Sequence, residues 1–467
     1  MQKIAIVGAG IGGLTSAIHL KAKGFEVSVF EARDSPGGLA SGVDVENSSF
    51  DGGPYILLDR PGLEWAFQRL GLDLAALVPM LPVQKIYEVL SSNHSPSIRI
   101  LQSLDSTVEQ LEAVQPGAGK RYAIFVKRMR ATYNRLSVLQ RESEPGAWKL
   151  IRHGAWRDIP FLLKPLERVI RDAGIRGTLG NAIGIWTHIA GQELDEAPSP
   201  LALVSAVIHE HGCYLPINGI REVPRILAAQ ARARGVEFHF NSAVKRIEVR
   251  DRTAVGVQLS SGEFISSDAV VSNISGVGTY TDLVGDTHST TEKLRSLPLQ
   301  SPGFCIYLLC KGQRPEFYLR FMLKQNGCRL FISPESVLPH SNPEWWPARL
   351  IQPLKHGSNA ESNPHTQEAM IDELLHDDWW QVGITSFRVL KVRTTRDWGR
   401  EFHLYRDSMN PVMTAKFMRM GRIPHRSARL LRLYHAGSST HPGQWVSFSA
   451  ISGVLAADTL ARDLLRC

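Results

Sequence analysis

The 467-residue sequence has little cysteine, and its cysteines lack the spacing of a metal site or a disulfide framework. The five are Cys213, Cys305, Cys310, Cys328 and Cys467. They form no Cys-x-x-Cys pair and no Cys/His cluster with zinc spacing. Structural zinc and secreted disulfide frameworks both depend on such patterns. We therefore expect buried or incidental thiols, a reducing compartment and no metal.

Long apolar runs are also absent. Arg, Lys, Asp or Pro interrupts every apolar stretch before it reaches the roughly 18 residues of a membrane-spanning helix. The amino terminus lacks the apolar region and cleavage site of an exported precursor. Hydrophobic residues at 43% and charged residues at 21% exclude low-complexity and disordered architectures. We expect a cytoplasmic protein, with association with the inner face of a membrane as an added alternative.

Several signatures of catalysis and binding are missing. The chain has no nucleophile elbow, no phosphate-binding Gly-Lys-Ser loop and no zinc-binding His-Glu-x-x-His. Its formal net charge is +8, but no nucleic-acid-binding signature accompanies the charge, so we expect no nucleic-acid partner. Residues 120–135 alternate basic and apolar side chains around Lys127. Such a helix either lies on an anionic membrane or presents one solvated face to water, and we favour the second.

The first thirty residues contain a pattern that is typical of nucleotide binding. Ile4–Val7 is a short apolar run, Leu14–Leu20 has helical spacing, and Val27–Phe30 is again apolar and β-branched. This pattern predicts a β-α-β unit of the length that binds a mononucleotide. The turn between strand and helix, Gly8 to Gly13, matches Gly-x-Gly-x-x-Gly.

Each glycine of that turn has a physical task. Gly8 permits the tight turn, Gly10 lets the backbone approach a diphosphate, and Gly13 lets the helix pack closely on the strand. The start of the helix then favours the negative charge of the diphosphate. Glu31, at the end of the second strand, is placed to accept hydrogen bonds from both ribose hydroxyls.

The following residues point to FAD. Glu31 to Ala40 resembles the second motif of the flavin family that contains amine oxidases, protoporphyrinogen oxidases and carotenoid desaturases. In that family the glycine pair, here Gly37 and Gly38, lies against the FAD diphosphate. Leu39 stands where many members carry Arg. Phe50 to Pro54 resembles the stretch that passes beside the flavin ring in desaturase-like members, and the branch looks like that of phytoene desaturases.

Further matches extend to the end of the chain. Gly212–Gly219 resembles a family Gly-x-x-x-Pro-x-Gly-Gly segment, with Asn218 in place of one glycine. Val236–Ile247 resembles two family strands that bring the backbone of Val244 to the adenine. Asp268–Asn273 and His435–Gly443 are similar to two family turns. Ser452-Gly453 is expected to open the final helix, whose start faces the flavin pyrimidine in relatives.

The resemblance implies FAD as the cofactor and a set of residues that bind it. The cofactor-binding residues are Gly8, Gly10, Ile11, Gly12, Gly13, Glu31, Ala32, Arg33, Gly37, Gly38, Leu39, Gly53, Pro54, Val244, Asn273, Gly437, Val446 and Ser447. No catalytic residue is identified, and His441 and His211 are the candidates, because an imidazole can move a proton at neutral pH. For His441 we favour a bracing role, through a hydrogen bond to the backbone.

The predicted fold class is α/β. A Rossmann-type FAD-binding domain of the two-dinucleotide-binding-motif kind is interleaved with an α+β substrate-binding domain. The FAD-binding domain comprises 1–85, 216–285 and 426–467. The substrate-binding or cap domain comprises 86–215 and 286–425.

The function expected is that of an FAD-dependent oxidoreductase. We favour a desaturase or dehydrogenase that passes hydride from a lipophilic carbon substrate to flavin N5, with oxygen or a quinone as electron acceptor. The alternatives are a flavin amine or amino-acid oxidase, and a flavoprotein isomerase or non-redox FAD-binding protein. Trp445 is expected to fill space beside the flavin, which argues against a long polyene. The pairs Trp345-Trp346 and Trp379-Trp380 either line an apolar pocket or pack in a core.

Overall fold

A computed structural model gives the fold of most of the chain. It describes residues 1–90, 96–143, 146–188, 192–286, 288–324, 327–333, 344–414, 417 and 422–465. The strands are β1 (Lys3–Val7), β2 (Glu26–Phe30), β3 (Gly42–Val45), β4 (Ser48–Asp51), β5 (Met80–Pro82), β6 (Lys85–Leu90), β7 (Pro96–Leu101), β8 (Tyr214–Pro216), β9 (Glu237–His239), β10 (Val244–Arg250), β11 (Thr253–Leu259), β12 (Phe264–Ser266), β13 (Ala269–Ser272), β14 (Phe304–Gly312), β15 (Leu319–Lys324), β16 (Gly327–Ile332), β17 (Trp345–Gln352), β18 (Ile384–Arg393) and β19 (Leu433–His435).

Helices connect and cover these strands. The α-helices are α1 (Ile11–Ala22), α2 (Arg60–Arg69), α3 (Leu74–Leu77), α4 (Leu104–Val114), α5 (Ala118–Leu136), α6 (Ala147–Arg152), α7 (Ile159–Leu162), α8 (Leu166–Asp172), α9 (Gly177–Ile183), α10 (Ile185–His188), α11 (Val204–His211), α12 (Glu222–Ala233), α13 (Gly276–Gly278), α14 (Ser289–Arg295), α15 (Asn359–Ser362), α16 (Pro364–His376), α17 (Thr395–Phe402) and α18 (Val446–Leu464). Shorter 3₁₀ or π turns are Gly38–Ala40, Ser137–Arg141, Ala155–Asp158, Ser199–Leu203, Thr279–Leu283 and Tyr405–Asp407. Among the helices that the structure describes, none combines the length and apolar character needed to cross a membrane.

A parallel sheet of five strands carries the amino-terminal motif. Its order is β19-β13-β1-β2-β9, and every neighbouring pair runs parallel. Ile4 to Val7 of β1 are all buried, because a parallel sheet is covered on both faces and its central strands become continuous apolar runs. Helices α1, α12 and α18 pack on one side of it in a common apolar core. The β-α-β unit predicted from the sequence is therefore the centre of this sheet.

A separate antiparallel sheet, β10-β11-β12, lies beside the parallel sheet. Its residues Ile247, Ala254 and Val257 are buried in a cluster that also contains Val7 and Val270. Short apolar runs at 236–240, 244–249, 254–259 and 269–271 predict four strands after a helix at 222–234, and the first and last of these join the parallel sheet. The two between them belong to the antiparallel sheet.

The largest sheet has seven strands, in the order β18-β14-β17-β16-β15-β6-β7. All its pairs are antiparallel except β15–β6. The helical segment that contains α5 and α11 packs on one face. Trp346, Trp379 and Trp380 lie in the core on the other face, with helix α16. These tryptophans are thus core residues rather than pocket lining.

The two larger sheets draw on the segments that the sequence analysis assigned to two domains. The parallel sheet uses strands from 1–85, 216–285 and 426–467, and the seven-stranded sheet uses strands between 85 and 393. The domain boundaries themselves stay a prediction. One contact between the two parts bears on the site: Arg349 of β17 is buried and donates to the carbonyl oxygens of Gly52 and Gly53, at 3.3 and 3.4 Å.

Helix α18 does not begin where the sequence analysis placed its start. It begins at Val446, and Gly453 lies inside it, so the expectation that Ser452-Gly453 opens the helix is wrong. Gly453 instead marks the crossing with α1. A Cβ there would lie 2.0 Å from Thr15 Oγ1 and 2.2 Å from the carbonyl oxygen of Gly12. The residue is glycine because the two helix backbones come too close for a side chain.

Candidate cofactor and substrate site

One large cavity runs between the parallel sheet and the seven-stranded sheet. Its volume is about 1460 Å³. Ligand pockets for one small molecule usually measure roughly 300–1,000 Å³, so this cavity has room for more than one ligand. Residues from both ends of the chain and from both middle segments line it. The cavity is therefore where the separately predicted motifs meet.

The glycine turn after β1 forms part of this cavity and is packed against protein. Gly8 has φ +93°, the left-handed conformation that a tight turn requires. A Cβ at Gly10 would lie 2.6 Å from Asn273 Nδ2, and a Cβ at Gly12 would lie 2.6 Å from the amide nitrogen of Gly437. The glycines thus also make room for the loops after β13 and β19, a role that the motif alone does not indicate.

Two helix amino termini reach the same cavity. Helix α1 starts after Gly10 and α18 after Trp445, and both of these preceding residues line the cavity. Neither terminus has a side-chain capping hydrogen bond or an acidic residue in its first turn. The first amide N–H groups of a helix have no partner inside it, and the helix dipole makes this end positive. Both ends therefore suit an anionic or electron-rich ligand.

Glu31 is fixed directly after β2. The residue is buried, one of its carboxylate oxygens accepts from the amide of Ala9 at 2.7 Å, and the other accepts from the amide of Arg33 at 3.0 Å. A carboxylate has about four acceptor sites, so it retains capacity for the hydroxyls of a ribose. Its two backbone bonds hold it at the carboxyl end of the sheet, where ligands of such folds bind.

Most of the predicted cofactor residues line this cavity, although their binding roles stay predictions. The sixteen that line it are Gly8, Gly10, Ile11, Gly12, Glu31, Ala32, Arg33, Gly37, Gly38, Leu39, Gly53, Pro54, Val244, Asn273, Gly437 and Val446. Gly13 and Ser447 are not among the lining residues. A Cβ at Gly13 would lie 2.2 Å from the carbonyl oxygen of Gly8, so this glycine serves helix packing.

Ser447 belongs to a buried polar group that the sequence analysis missed. Its hydroxyl donates to Asp59 Oδ2 at 2.9 Å, and the hydroxyl of Tyr133 donates to Asp59 Oδ1 at 2.9 Å. Asp59 also caps helix α2 through the amide of Gly62, and burial raises its pKa. Tyr133 lines the cavity, and burial raises its pKa too, with Asp59 adding to the effect. The acid thus connects the hydroxyl of a cavity-lining tyrosine to the first turn of α18.

The two histidine candidates occupy different positions. His441 lines the cavity, and its Nε2–H donates to the carbonyl oxygen of Leu139 at 2.9 Å, which is the bracing bond considered from the sequence. Burial lowers the pKa of His441 to about 3. His211 does not line the cavity, and its ring lies beside that of Tyr133 with centroids 5.4 Å apart. A catalytic role for either residue stays a prediction.

The second middle segment supplies lining residues that no motif indicated. They are Gln300, Pro302, Cys305, Ile351, Trp398, Phe402, His403, Leu404, Tyr405, Arg406, Met409, Asn410, Met413, Arg422, Ile423, Pro424 and His425. Arg33, from the amino-terminal motif, has its guanidinium 4.5 Å from the ring centroid of Phe402. The arginines among the lining residues are Arg33, Arg406 and Arg422, so positive charge lies beside a cavity in which Leu39 stands in the position that is often Arg.

Metal-binding groups are not found in the part of the chain that the structure describes. No group of three or more His, Cys, Asp or Glu residues there is arranged to hold a metal ion. The four cysteines within that part, at 213, 305, 310 and 328, are buried thiols without disulfides.

Comparison with known proteins assigns this architecture. Residues 11–298 match the family model described as flavin containing amine oxidoreductase. The chain belongs to this family. A zeta-carotene-forming phytoene desaturase of Myxococcus xanthus is 25% identical over 98% of this chain and 94% of its own length. A neurosporene-forming phytoene desaturase of Cereibacter sphaeroides is 29% identical over 95% and 92%. The solved structure of an oxidoreductase from Methanosarcina mazei covers 98% of this chain and 100% of its own, with a TM-score of 0.65 and 16% identity.

This member of the family is an FAD-dependent oxidoreductase with an α/β fold. The residues present fit the cofactor: two uncapped helix ends, a fixed carboxylate after β2 and a glycine turn free of side chains lie on one cavity. Glu31 would hold the ribose. The start of α1 and the Gly37–Gly38 pair would hold the diphosphate, and the start of α18 would lie against the pyrimidine side of the flavin.

Replacing Glu31 tests the ribose contact. We expect Glu31→Gln to lower the affinity for FAD by about 10- to 100-fold, because hydrogen bonds to a charged group contribute about 1.5–3 kcal/mol. The dissociation constant is measured by titrating apoprotein with FAD and following flavin fluorescence. Glu237→Gln, an exposed carboxylate on the neighbouring strand β9, is the matched control and should bind FAD like the parent protein. Equal affinities for both variants would refute the assignment.

The buried histidines predict loss of stability in mild acid. Burial lowers the pKa of His435 and of His441 from 6.5 to about 3, so both stay neutral in the folded chain while the unfolded chain binds protons below 6.5. The unfolding free energy should therefore fall as the pH drops from about 6.5 toward 3, by up to about 1.4 kcal/mol per pH unit for each histidine.

Urea unfolding between pH 6.5 and 5 measures this slope. In the variant His435→Gln, the unfolding free energy should depend less steeply on pH, because one of the two histidines no longer contributes. Its side chain replaces an imidazole that lies 3.1 Å from the Tyr280 hydroxyl. A slope identical to that of the parent protein would show that His435 is protonated in the folded state.

Proposed function

We propose that this chain is an FAD-dependent desaturase or dehydrogenase that acts on a lipophilic carbon chain or ring. Bound FAD supplies a hydride acceptor at flavin N5, from which the electrons pass to oxygen or a quinone. The protein contributes the binding of the substrate, the exclusion of water and the acceptance of a proton. The support for this proposal comes from the lining of the cavity and from the names of the relatives.

The composition of one cavity wall carries the proposal. The described residues of segment 86–215 that line the cavity include no Lys, Arg, His, Asp or Glu. They are Tyr133, Leu136, Leu139, Gln140, Ser143, Gly146, Leu150, Leu162, Trp186, Gln192, Pro198, Pro200, Leu201, Leu203, Val204 and Val207. An apolar wall of this kind favours an apolar ligand, since a charged group placed there loses its hydration without a partner.

The names of the relatives also favour an apolar substrate. Both relatives described above are phytoene desaturases, and phytoene is a hydrocarbon. Trp445, which was expected to fill space beside the flavin, lines the cavity, and its exclusion of a long polyene stays a prediction. It stacks on Phe448, with ring centroids 4.7 Å apart and planes 11° apart, and both side chains form part of the wall. We therefore keep long apolar chains among the candidate substrates.

Removal of hydrogen from a carbon–carbon bond releases a proton besides the hydride, and Tyr133 is our candidate acceptor. Tyr133 is a lining residue of the cavity, and its hydroxyl donates to the buried carboxylate of Asp59. In this arrangement Tyr133 takes the proton from the substrate as its own proton moves to Asp59 Oδ1. The raised pKa of Asp59 favours a carboxyl group that can hold that proton.

The amine-oxidase alternative has less support from the same wall. A protonated amine needs a carboxylate or an aromatic cage to replace its hydration. The described lining of segment 86–215 offers no carboxylate. The isomerase or non-redox alternative is separated from the proposed function by whether a substrate bleaches the flavin, as tested below.

Peripheral contact with a membrane is part of the proposal, because it would bring a lipophilic substrate to the cavity. Helix α5, the basic segment noted in the sequence, gives it little support. Tyr122, Phe125, Val126 and Met129 turn its apolar side into the protein core. Of its large apolar side chains only Ile124 is exposed. The helix is an ordinary core helix with one solvated basic face.

Anaerobic mixing with phytoene tests the proposed oxidation. Phytoene supplied in detergent micelles should bleach the flavin absorbance of the purified holoprotein, and oxygen or a quinone should restore it. A panel of primary amines, followed by peroxide release, should give no reaction. Bleaching by an amine but not by phytoene would favour the amine-oxidase alternative, and bleaching by neither would favour the isomerase or binding role.

Tyr133→Phe tests the proton acceptor. We expect the rate of substrate-dependent bleaching to fall by about 10²- to 10⁴-fold, the usual contribution of general base catalysis, with little change in KM. Tyr434→Phe is the matched control, because it removes a phenol hydroxyl that donates to Asp463 and does not belong to the cavity lining. Unchanged bleaching in Tyr133→Phe, with normal FAD content, would exclude Tyr133.

A further inference from the structure

The short helices that follow α5 expose an unusual amount of apolar surface. Five of the fifteen exposed large apolar side chains in the described part of the chain lie within residues 148–163. Trp148 is 73% exposed and Trp156 is 51% exposed. The other three are Ile151, Ile159 and Leu163. We call these five side chains the 148–163 surface.

Helical spacing places these side chains on shared faces. Trp148 and Ile151 are three residues apart on α6. Trp156, Ile159 and Leu163 are spaced by three and four residues along the 3₁₀ turn and α7 that follow. Side chains with this spacing lie side by side on a helix. The two pieces are separated only by His153 and Gly154, and they contact each other in the fold.

Other side chains of the same segments line the cavity. Leu150 of α6 and Leu162 of α7 are among its lining residues, as is Gly146 just before α6. The short helices that carry the 148–163 surface therefore also form part of the apolar cavity wall. Whatever covers this surface lies next to that wall.

The charges around the 148–163 surface are positive. Residues 147–164 contain Lys149, Arg152, Arg157 and Lys164, and their only acid, Asp158, is buried and paired with Arg135. Arg152 and Arg157 are exposed, and the guanidinium of Arg157 lies 5.4 Å from the ring centroid of Trp156. Exposed tryptophans with a fringe of Lys and Arg fit the interface of an anionic lipid bilayer, where rings sit at headgroup level.

We propose that the 148–163 surface docks on an anionic lipid bilayer and presents the neighbouring cavity wall to the membrane. The choice of a bilayer as occupant rests on the proposed function, since a lipophilic substrate dissolves in the membrane. It also rests on the positive fringe, which would repel the same face of a second copy of this chain. Lys149 and Lys164 have partners in Glu142 and Asp172, so Arg152 and Arg157 carry the electrostatic part.

Vesicle flotation with the holoprotein tests docking without any need for turnover. Vesicles of phosphatidylcholine with phosphatidylglycerol should bind the protein, and vesicles of phosphatidylcholine alone should bind it more weakly. The double variant Trp148→Ala/Trp156→Ala should lower binding to the anionic vesicles by at least about tenfold, because two large aromatic contacts with the lipid are lost. Trp148→Phe/Trp156→Phe should restore most of it.

Two control variants separate this surface from the rest of the chain. Val382→Ala/Leu431→Ala removes exposed apolar side chains elsewhere and should leave binding unchanged. Lys127→Glu/Arg128→Glu reverses charge on helix α5 and should have a smaller effect than Arg152→Glu/Arg157→Glu. FAD content and circular dichroism confirm that each variant is folded.

The proposal is wrong if the parent protein fails to bind anionic vesicles, or if the tryptophan variant binds as well as the parent. It is also wrong if the tryptophans instead hold a dimer, seen as a change of mass between parent and variant in sedimentation. A variant that bleaches with phytoene in micelles but not with phytoene in vesicles supports docking. Absence of bleaching in micelles would refute the proposed function and leave the flotation result standing.

Discussion

The close crossing of α1 and α18 is the contact on which the rest of the site depends. The Thr15 hydroxyl donates to the carbonyl oxygen of Ala450 at 3.1 Å, and the Ser16 hydroxyl donates to that of Gly453 at 2.9 Å. Neither bond would form if Gly453 carried a side chain, because the backbones would be forced apart. The crossing sets the spacing of the two helix starts along the cavity, and that spacing decides whether one ligand can span both. Binding of one ligand across both helix starts therefore depends on the packing between α1 and α18.

Local signals explain how much of this could be predicted. The run of buried residues in β1, the glycine turn and the carboxylate after β2 are encoded within thirty consecutive residues, and the structure contains all of them. The interleaved arrangement could also be predicted, because the chain returns to strand patterns after residue 236 and again near its end. Even the Asn218 substitution is tolerated, since this residue adopts a positive φ of 69°, which Asn accepts more readily than most residues.

Long-range contacts explain what could not be predicted. Asp59 caps helix α2 through the nearby amide of Gly62, and only the fold brings Tyr133 and Ser447 to its two oxygens. The lining from 398 to 425 has no motif, because loops that cover a cavity are selected for shape at positions far apart in sequence. The start of α18 was misplaced for a related reason. A glycine such as Gly453 often marks the boundary of a helix. Here the residue is small because α1 packs closely against it, and it lies inside α18.

The strand order of the parallel sheet has a consequence for how the protein acquires its flavin during synthesis. The central strand β1 emerges from the ribosome before β19 and α18 emerge. Until they do, the sheet lacks one edge and α1 leaves its apolar side uncovered. A nascent or prematurely terminated chain therefore has only half of the nucleotide-binding site. It also exposes an apolar surface that chaperones would recognise.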